Sequence, residues 1–463
     1  MRCRPRNSRW RHLPVAIKTA GVVHGMNDSL SRLPREPADR LTKPFMRFLR
    51  IEATAGIILL LSTLLALGLA NTAWSSSFLA FWEMPAGVRL GDIGIYRSLK
   101  HWINDGLMTF FFFVIALELK RELVLGELRN PRMAALPVAA ALGGMAAPAG
   151  IYLLLVGGGP GASGWGTVMS TDTAFVIGCL ALLGSRVPGS LRLFLLSLAI
   201  FDDIGAILLV AVGYGEPLNW VALGTGGLGF AFVAGIALLG IRSIPVYFAM
   251  GSAIWLAFDA SGVHATLVGV ILGLMTPARR WVSEIRLHAI LDRVIAHPPG
   301  DHRSRDTAAR SDLHRAGVAT REAVSPIERL EIALHPWVAF AIMPLFAVSN
   351  AGVPIEDANF DVPLTIAIVV AFVVGKPAGI VLFSFLAVKL RLASRPEQLS
   401  WSLLAAGSLL TGIGFTMALF IAELAFEHEL LIPVKLGVLG ASVISAALGF
   451  MALTLLTSPN RRW

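Results

Sequence analysis

The chain has 463 residues, of which 55% are hydrophobic and 15% are charged, and its mean hydropathy is +0.70. This composition excludes an ordinary soluble protein and indicates a polytopic membrane protein. The net charge of +9 could indicate a nucleic-acid or anionic-surface partner, but the positions of the positive residues favour a topological meaning. The two cysteines, Cys3 in a basic tail and Cys179 in an apolar run, predict no disulfide and no redox or metal role.

The amino-terminal stretch is rich in Arg and contains no apolar run long enough for a signal-peptide core. We interpret residues 1–47 as a disordered, basic, cytoplasmic tail, with an Arg-rich transit peptide as the alternative. The start codon is open, because Met26 and Met46 also lie in this stretch. We expect a transmembrane domain over residues 48–456 and a short cytoplasmic tail over residues 457–463.

Twelve apolar segments follow the tail, an even number that places both termini on one side of a membrane. They span residues 51–70, 101–119, 134–156, 165–184, 192–213, 218–240, 244–258, 262–275, 334–350, 364–389, 402–424 and 432–456. When the loops are sorted by side, the side of the tail carries Lys120, Arg121, Arg129, Arg132, Arg186, Arg242, Arg391, Arg395, Arg461 and Arg462. After the first long connection, the opposite loops carry only acidic charges. The positive-inside rule then makes the side of the tail cytoplasmic.

The connection over residues 276–333 is the longest and is crowded with Arg, Asp and His. We predict a cytoplasmic loop that is mostly disordered up to about Val324. The irregular spacing of its histidines favours a solvated linker over a metal site: His288, His297, His302 and His314.

Two adjacent carboxylates, Asp202 and Asp203, lie in the middle of the apolar run from Leu193 to Val212. That run is long enough to cross a bilayer as a helix. A charged Asp at the bilayer centre costs about 3 kcal/mol on insertion scales. A single Asp could cap or pair inside the bundle, but an adjacent pair predicts a functional site that faces a protein-lined or water-filled cavity.

Other membrane segments carry features that a purely structural helix does not need. Asp172 interrupts the fourth segment between hydroxyl residues, and Gly412 and Gly414 weaken the eleventh. In the tenth segment, Lys376 places a cation at mid-depth beside Pro377. Each feature alone fits helix packing, but their agreement in depth favours a site. Segments 3–5 and 10–12 start on opposite sides, which predicts inverted repeats whose broken helices meet at a midplane ion site.

Nine short motifs occur in order within residues 48–456. They are Trp102-Ile103-Asn104-Asp105, Leu117-Glu118-Leu119-Lys120-Arg121-Glu122-Leu123, Thr171-Asp172, Leu182-Leu183-Gly184-Ser185-Arg186-Val187-Pro188, Asp202-Asp203, Gly262-Val263-His264-Ala265-Thr266-Leu267, Leu334-His335-Pro336-Trp337, Gly375-Lys376-Pro377 and Gly412-Ile413-Gly414-Phe415-Thr416-Met417. In sequence and order, the chain resembles the NhaA family of sodium/proton antiporters. The resemblance implies an all-α polytopic membrane fold of twelve transmembrane helices, with inverted-topology repeats (helices 3–5 and 10–12) and interrupted helices 4 and 11 that cross at the ion site. That family is itself an established example of inverted repeats, so the two arguments are not independent.

The resemblance also implies an activity. It implies a secondary active transporter in a bacterial inner membrane that exchanges cytoplasmic Na+ or Li+ for external H+, with electrogenic and pH-regulated transport that serves sodium and pH homeostasis. Membrane lipids would surround the protein, and a hairpin near Gly91 allows a homodimer. We expect no cofactor, no enzymatic activity and no nucleic-acid partner.

The resemblance assigns roles to five buried residues. Asp203 would be the principal ion carboxylate and Asp202 the second, and the Thr171 hydroxyl would add an oxygen ligand that suits a hard cation. A carboxylate removed from water can hold either a proton or sodium, which is sufficient for exchange. Adjacent helical residues point about 100° apart, so Asp202 can pair with Lys376 while Asp203 faces the cavity. Carbonyl ends of the interrupted helices are the other partners open to Lys376, and Asp172 would offset the helix dipoles.

Five further residues match positions that the family associates with pH response: Glu118, Arg121, Glu122, Glu331 and His264. Charged residues at a membrane face are often only a solvated rim. The basic tail and the lengthened loop depart from the family's pattern, which leaves regulation by the loop open.

Two other functions are alternatives: a sodium-coupled solute symporter and a passive cation channel. Lys376 would repel cations in an open channel, and sodium-dependent solute uptake would identify a symporter. An intramembrane aspartyl protease also needs two buried aspartates, but its Tyr-Asp and Gly-x-Gly-Asp motifs are absent from the sequence.

Overall fold

The computed structural model describes residues 52–90, 93–126, 129–215, 217–240, 243–278, 280–296, 307–355 and 361–458. Helices dominate these residues, as expected for apolar runs whose backbone polar groups must be satisfied within one segment. The predicted tail over residues 1–47 and most of the predicted tail over residues 457–463 lie outside the described residues.

Up to Met275, the described part of the chain contains a hairpin, ten helices and one additional short 3₁₀ turn at Gly184–Arg186. In chain order they are α1 (Glu52–Ala70), α2 (Ser75–Trp82), β1 (Pro85–Leu90), β2 (Ile93–Ser98), α3 (Leu99–Val124), α4 (Pro131–Val156), α5 (Pro160–Met169), α6 (Thr173–Leu183), α7 (Gly189–Gly213), α8 (Trp220–Leu238), α9 (Ile244–Asp259) and α10 (Leu267–Met275). α5 is a 3₁₀-helix, and α3 contains a π-helical turn at Trp102–Leu107.

The second half continues with helices throughout its described part. They are α11 (Glu284–Ala296), α12 (Thr307–Glu322), α13 (Pro326–Asn350), α14 (Val362–Lys389), α15 (Trp401–Leu410), α16 (Phe415–Ala425) and α17 (His428–Leu456). Two of these helices include a π-helical turn, at Val338–Ile342 in α13 and at Ala371–Gly375 in α14. The second of these turns ends directly before Lys376, which begins the next α-helical stretch of α14.

Seven described helices are long and apolar enough to cross a membrane, and the number rises to ten if each of three bent helix pairs forms one span. This range confirms a polytopic membrane protein. Every predicted apolar segment overlaps at least one helix, but α9 has 16 residues and α10 only 9. A helix of about 20 residues is needed to cross a bilayer, so the count of twelve stays a prediction.

The connection after α2 forms the hairpin that its sequence predicted. β1 and β2 pair antiparallel, with Pro85 opposite Ser98 and Leu90 opposite Ile93. Gly91 at the turn lies outside the described residues. The Trp102 indole donates a 2.9 Å hydrogen bond to the Ala86 carbonyl, which ties the hairpin to the start of α3.

The long loop after α10 is not mostly disordered as predicted, because it contains α11 and α12. These helices pack against each other, and their apolar positions recur at helical spacing within a stretch dominated by charge. The Val282 amide donates to the Glu322 carbonyl at 3.3 Å, so the two ends of this helical pair meet. Residues 297–306 lie outside the described part.

Glycines allow α4 and α14 to approach closely in the core. A Cβ atom on Gly143 would collide with the Gly379 carbonyl oxygen, and a Cβ atom on Gly379 would collide with the Gly143 carbonyl. Small residues at such crossings permit backbone contact between membrane helices. The crossing brings Lys376, one turn before Gly379, into the centre of the helix bundle, where it is fully buried.

Candidate ion-binding site

Two helix interruptions meet in the core, at the positions predicted for the fourth and eleventh segments. α5 and α6 are bent by 42° around Ser170–Asp172, and α15 and α16 are bent by 54° around Thr411–Gly414. The Asp172 amide donates a 2.7 Å hydrogen bond to the Ile413 carbonyl, so one break satisfies a backbone group of the other. Non-helical backbone at membrane depth needs such partners.

Asp172 lies between the amino-terminal ends of two half-helices. Its Oδ1 accepts from the Phe175 amide of α6 at 3.2 Å, which is an N-cap interaction. Its Oδ2 accepts from the Thr416 amide of α16 at 3.0 Å and from the Thr416 hydroxyl. Both helix ends carry partial positive charge, so the carboxylate stands where the sequence analysis placed it.

Lys376 contacts both kinds of partner that the sequence left open. Its Nζ lies 2.8 Å from Asp202 Oδ2, and it also donates to the carbonyl of Met169, the last residue of α5. The Thr171 hydroxyl donates to the same Asp202 oxygen at 2.5 Å. The predicted contact between Lys376 and Asp202 is therefore confirmed, and it lies at the break between α5 and α6.

Asp203 has fewer partners than its neighbour. The Thr173 hydroxyl donates to Asp203 Oδ2 at 3.0 Å. Asp203 Oδ1 and Asp202 Oδ1 are buried and have no hydrogen-bond partner among the described residues. Both side chains are only 1% exposed, so these oxygens are available for a cation or a proton that replaces lost hydration.

The two threonines that flank Asp172 bond to different aspartates. Thr171, the predicted ligand, bonds to Asp202, whereas Thr173, which was not predicted, bonds to Asp203. The sequence signal for Thr173 was its hydroxyl two residues along the same interrupted stretch. Which aspartate each hydroxyl reaches depends on the turn of the chain where α6 begins.

A cavity of about 350 Å³ opens between α4, α7 and the stretch that precedes α15. Its lining includes Ser197, which precedes Asp203 by six residues on α7, and Ser190, which lies two helical turns before Ser197. Neither Asp202 nor Asp203 is among the residues that line this cavity.

Four of the five residues matched to pH response lie near one another. Arg121 of α3 forms ion pairs with Glu331 of α13 and, at 3.3 Å, with Glu122. Glu118 lies one turn before Arg121 on the same helix. His264 is not in these contacts: its Nε2 lies 2.9 Å from the Tyr214 carbonyl, in the turn before α10.

Two further charge clusters were missed in the sequence. Glu423 of α16 lies 2.8 Å from Lys100 and 2.5 Å from Lys435 of α17. His101 lies 3.2 Å from each of two carboxylates, Asp105 and Asp259, and Arg97 also binds Asp259. Charged residues inside apolar segments, such as Glu423 and Lys435, were the available signal for the first cluster.

Comparison with known proteins gives the same picture. Residues 46–453 match the protein family described as Na+/H+ antiporter 1. The protein named Na(+)/H(+) antiporter NhaA of Rhizobium meliloti (strain 1021) is 99% identical over 437 residues, which cover 94% of this chain and 100% of that protein. Na(+)/H(+) antiporter NhaA 2 of Acidiphilium cryptum (strain JF-5) is 58% identical over 421 residues, covering 91% and 94% of the two chains. Na(+)/H(+) antiporter NhaA 2 of Vibrio vulnificus (strain CMCP6) is 53% identical over 425 residues, covering 92% and 95%. Because the family match spans nearly the whole chain, the protein belongs to the Na+/H+ antiporter 1 family.

Proposed function

We propose that the protein exchanges cytoplasmic Na+ or Li+ for external H+ as a secondary active antiporter. The observation that carries this proposal is the adjacent pair Asp202 and Asp203, each buried and each with one oxygen that has no described partner. The names of the relatives as Na+/H+ antiporters support it. Two buried carboxylates at a helix crossing offer hard oxygen ligands to an alkali cation.

Competition at the aspartates accounts for exchange. The free oxygen of Asp203 takes either a cation or a proton, because removal from water disfavours an uncompensated carboxylate. A cation that also recruits Asp202 weakens the ion pair with Lys376, and the lysine then releases a proton. If the site changes the side from which it is accessible only when either a cation or a proton is bound, cation export is coupled to proton entry. If Asp203 and Lys376 each exchange one proton for every cation, two positive charges move inward for each one that moves outward. Transport is then electrogenic.

Asp172 has a compensating role in this proposal. A carboxylate between the amino-terminal ends of α6 and α16 offsets their partial positive charges. The Lys376 ammonium similarly offsets the carbonyl end of α5. The partial charges at the crossing of the broken helices are therefore offset in the state that has no bound cation.

The finer architecture also belongs to the proposal. We infer twelve membrane segments, with inverted repeats formed by α4 to α7 and by α14 to α17, each group containing one interrupted segment. Both termini would be cytoplasmic in a bacterial inner membrane, by the distribution of Lys and Arg.

The hairpin of β1 and β2 would serve a homodimer, surrounded by lipids. The cluster of Glu118, Arg121, Glu122 and Glu331, together with His264, would tune the response to pH.

The test is Asp203→Asn in everted membrane vesicles, with proton movement followed by fluorescence dequenching after addition of Na+, Li+ or K+. We expect normal insertion and no cation-driven proton movement, because an amide cannot exchange a proton for a cation. Asp292→Asn, on exposed α11, is the matched control and should behave as the parent protein. Exchange by the Asp203→Asn variant would reject the assignment, and sodium-dependent uptake of an organic solute would identify a symporter.

A further inference from the structure

Thr173 is the one side chain described as bonded to Asp203. Its Oγ1 lies 3.0 Å from Asp203 Oδ2, while the other oxygen of that carboxylate is buried without a described partner. The neighbouring hydroxyl of Thr171 instead bonds to Asp202, which Lys376 also holds. Asp203 therefore has fewer compensating contacts than Asp202, and the Thr173 hydroxyl that bonds to it has no assigned role.

The position of Thr173 fixes its hydroxyl in space. Thr173 is the first residue of α6, directly after the N-cap residue Asp172, whose side chain bonds to the Phe175 amide. A β-branched side chain has few χ1 rotamers, so the helix start restricts the directions in which the hydroxyl can point. Asp203 is carried by α7, a separate helix, and the contact therefore bridges two elements of the site.

A threonine hydroxyl can serve both states of such a site. It has one hydrogen to donate and two lone pairs that accept. Without a cation, the hydrogen bonds to the Asp203 carboxylate, as observed. With a cation beside Asp203, the same oxygen presents its lone pairs and becomes a neutral ligand, without any change of helix position.

We propose that Thr173 Oγ1 is a ligand of the transported cation beside Asp203 and that it sets the preference between Na+ and Li+. This inference rests on the proposed function, in which Asp203 binds the cation. Selectivity among hard cations depends on cavity size and on the number of oxygen ligands. Li+ is the smaller ion and is satisfied by fewer ligands, so the loss of one neutral oxygen weakens Na+ binding more than Li+ binding.

The experiment compares Thr173→Val, which keeps the shape and removes the hydroxyl, with Thr173→Ser, which keeps the hydroxyl. Apparent KM values for Na+ and for Li+ are measured in proteoliposomes at fixed pH. We expect Thr173→Val to raise the KM for Na+ by about tenfold and that for Li+ by about threefold or less, the scale of one lost polar interaction. Thr173→Ser should restore both values to about twofold of the parent values.

The matched control is Thr63→Val in α1, since the hydroxyl of Thr63 bonds only to the Leu59 carbonyl of its own helix among the described contacts. It should leave both KM values unchanged. Equal changes for Na+ and Li+ in Thr173→Val would show that the residue only positions Asp203, and unchanged values would remove it from the site. Either result overturns this inference while Asp203→Asn remains inactive, whereas exchange by Asp203→Asn would reject the proposed function itself.

Discussion

The molecule holds ion pairs in two very different surroundings. In the core, Lys376 and Asp202 are 0% and 1% exposed and lie 2.8 Å apart. At the end of α3, Arg121 and Glu331 are 34% and 12% exposed. The core pair is surrounded by half-helix ends and hydroxyls, and the peripheral pair by solvent and other charged side chains.

This difference teaches what each pair can do. A charge in the core has lost its hydration, so the protonation state of the group depends on whether its ionic partner is present. Removal of one partner leaves the other charge without compensation. A charge at the periphery keeps part of its hydration, and its pair contributes little to stability. The core pair can therefore store and release a proton during transport, while the peripheral pair suits modulation.

The largest effect is expected from Lys376→Ala. The substitution leaves the buried Asp202 carboxylate without the Lys376 ammonium, and breaking one side of a buried ion pair costs roughly 3–5 kcal/mol. We expect a large drop in melting temperature in detergent and weakened exchange. Asp202→Ala should destabilise by a comparable amount, because Lys376 then lacks its carboxylate.

The double variant Lys376→Ala with Asp202→Ala, which combines the two single substitutions, sharpens the comparison. It leaves no lone charge, so stability should recover relative to either single variant. If exchange survives through Asp203, it should move fewer protons for each cation and lose its dependence on membrane potential in liposomes. Additive losses in melting temperature would speak against the pair, and an unchanged potential dependence would speak against Lys376 as a proton carrier.

A smaller effect is expected from Thr416→Val, which acts on the same buried region through a hydrogen bond. The Thr416 hydroxyl donates to Asp172, which still retains the Thr416 amide and the Phe175 amide. Loss of one donor to a buried carboxylate should cost about 1–3 kcal/mol. Chemical denaturation of the purified protein measures this change, and Thr416→Ser should recover most of it. A valine variant as stable as its parent would indicate that the helix ends alone compensate Asp172.

Much of the central site could be predicted because charge in an apolar run leaves few solutions. Lys376 had only Asp202 and the carbonyl ends of broken helices as partners at its depth, and the structure shows both kinds of contact. The breaks at Asp172 and Gly412 were visible as polar or glycine residues within apolar runs. Solvation required a buried carboxylate or carbonyl partner for Lys376, and the choice of Asp202 over Asp203 came from the family resemblance.

Other features depend on geometry that the sequence does not show. The division of Thr171 and Thr173 between the two aspartates follows from the direction of the chain at the α6 start. The contact of Lys100 with Glu423 joins residues 323 positions apart, and only tertiary packing brings them together. In α11 and α12, a high charge content masked the helical spacing of the apolar residues.

The peripheral pair should give a smaller effect on stability than either core variant. Glu331→Gln weakens the contact with Arg121, and a partly solvated pair is worth about 1 kcal/mol or less. We expect nearly parental melting behaviour but a changed pH dependence of exchange, measured by dequenching between about pH 6.5 and 8.5. Asp312→Asn, which weakens the exposed pair with Arg315, is the control and should change neither property. A loss of stability comparable to that of Lys376→Ala would erase the distinction between the two regions.

The smallest effect is expected when residues 285–322 are replaced by a short Gly/Ser linker. The hydrogen bond from Val282 to Glu322 shows that the ends of this segment are adjacent, so a few residues can close the gap without strain on α13. The deletion removes the 3.1 Å ion pair between Glu322 and Arg329, and Arg329→Gln in the full chain removes the same pair while keeping α11 and α12.

Both variants should insert and transport at close to the parental rate, since the segment contributes none of the described contacts of Asp202, Asp203 or Lys376. A partly solvated ion pair worth up to about 1 kcal/mol can shift the pH of half-activation by about 0.7 of a unit at most. A common shift in the deletion and in Arg329→Gln would assign the effect to the ion pair. Loss of transport in the inserted deletion variant, with Arg329→Gln still active, would instead make α11 and α12 part of the transport mechanism, because the ion pair alone could not account for it.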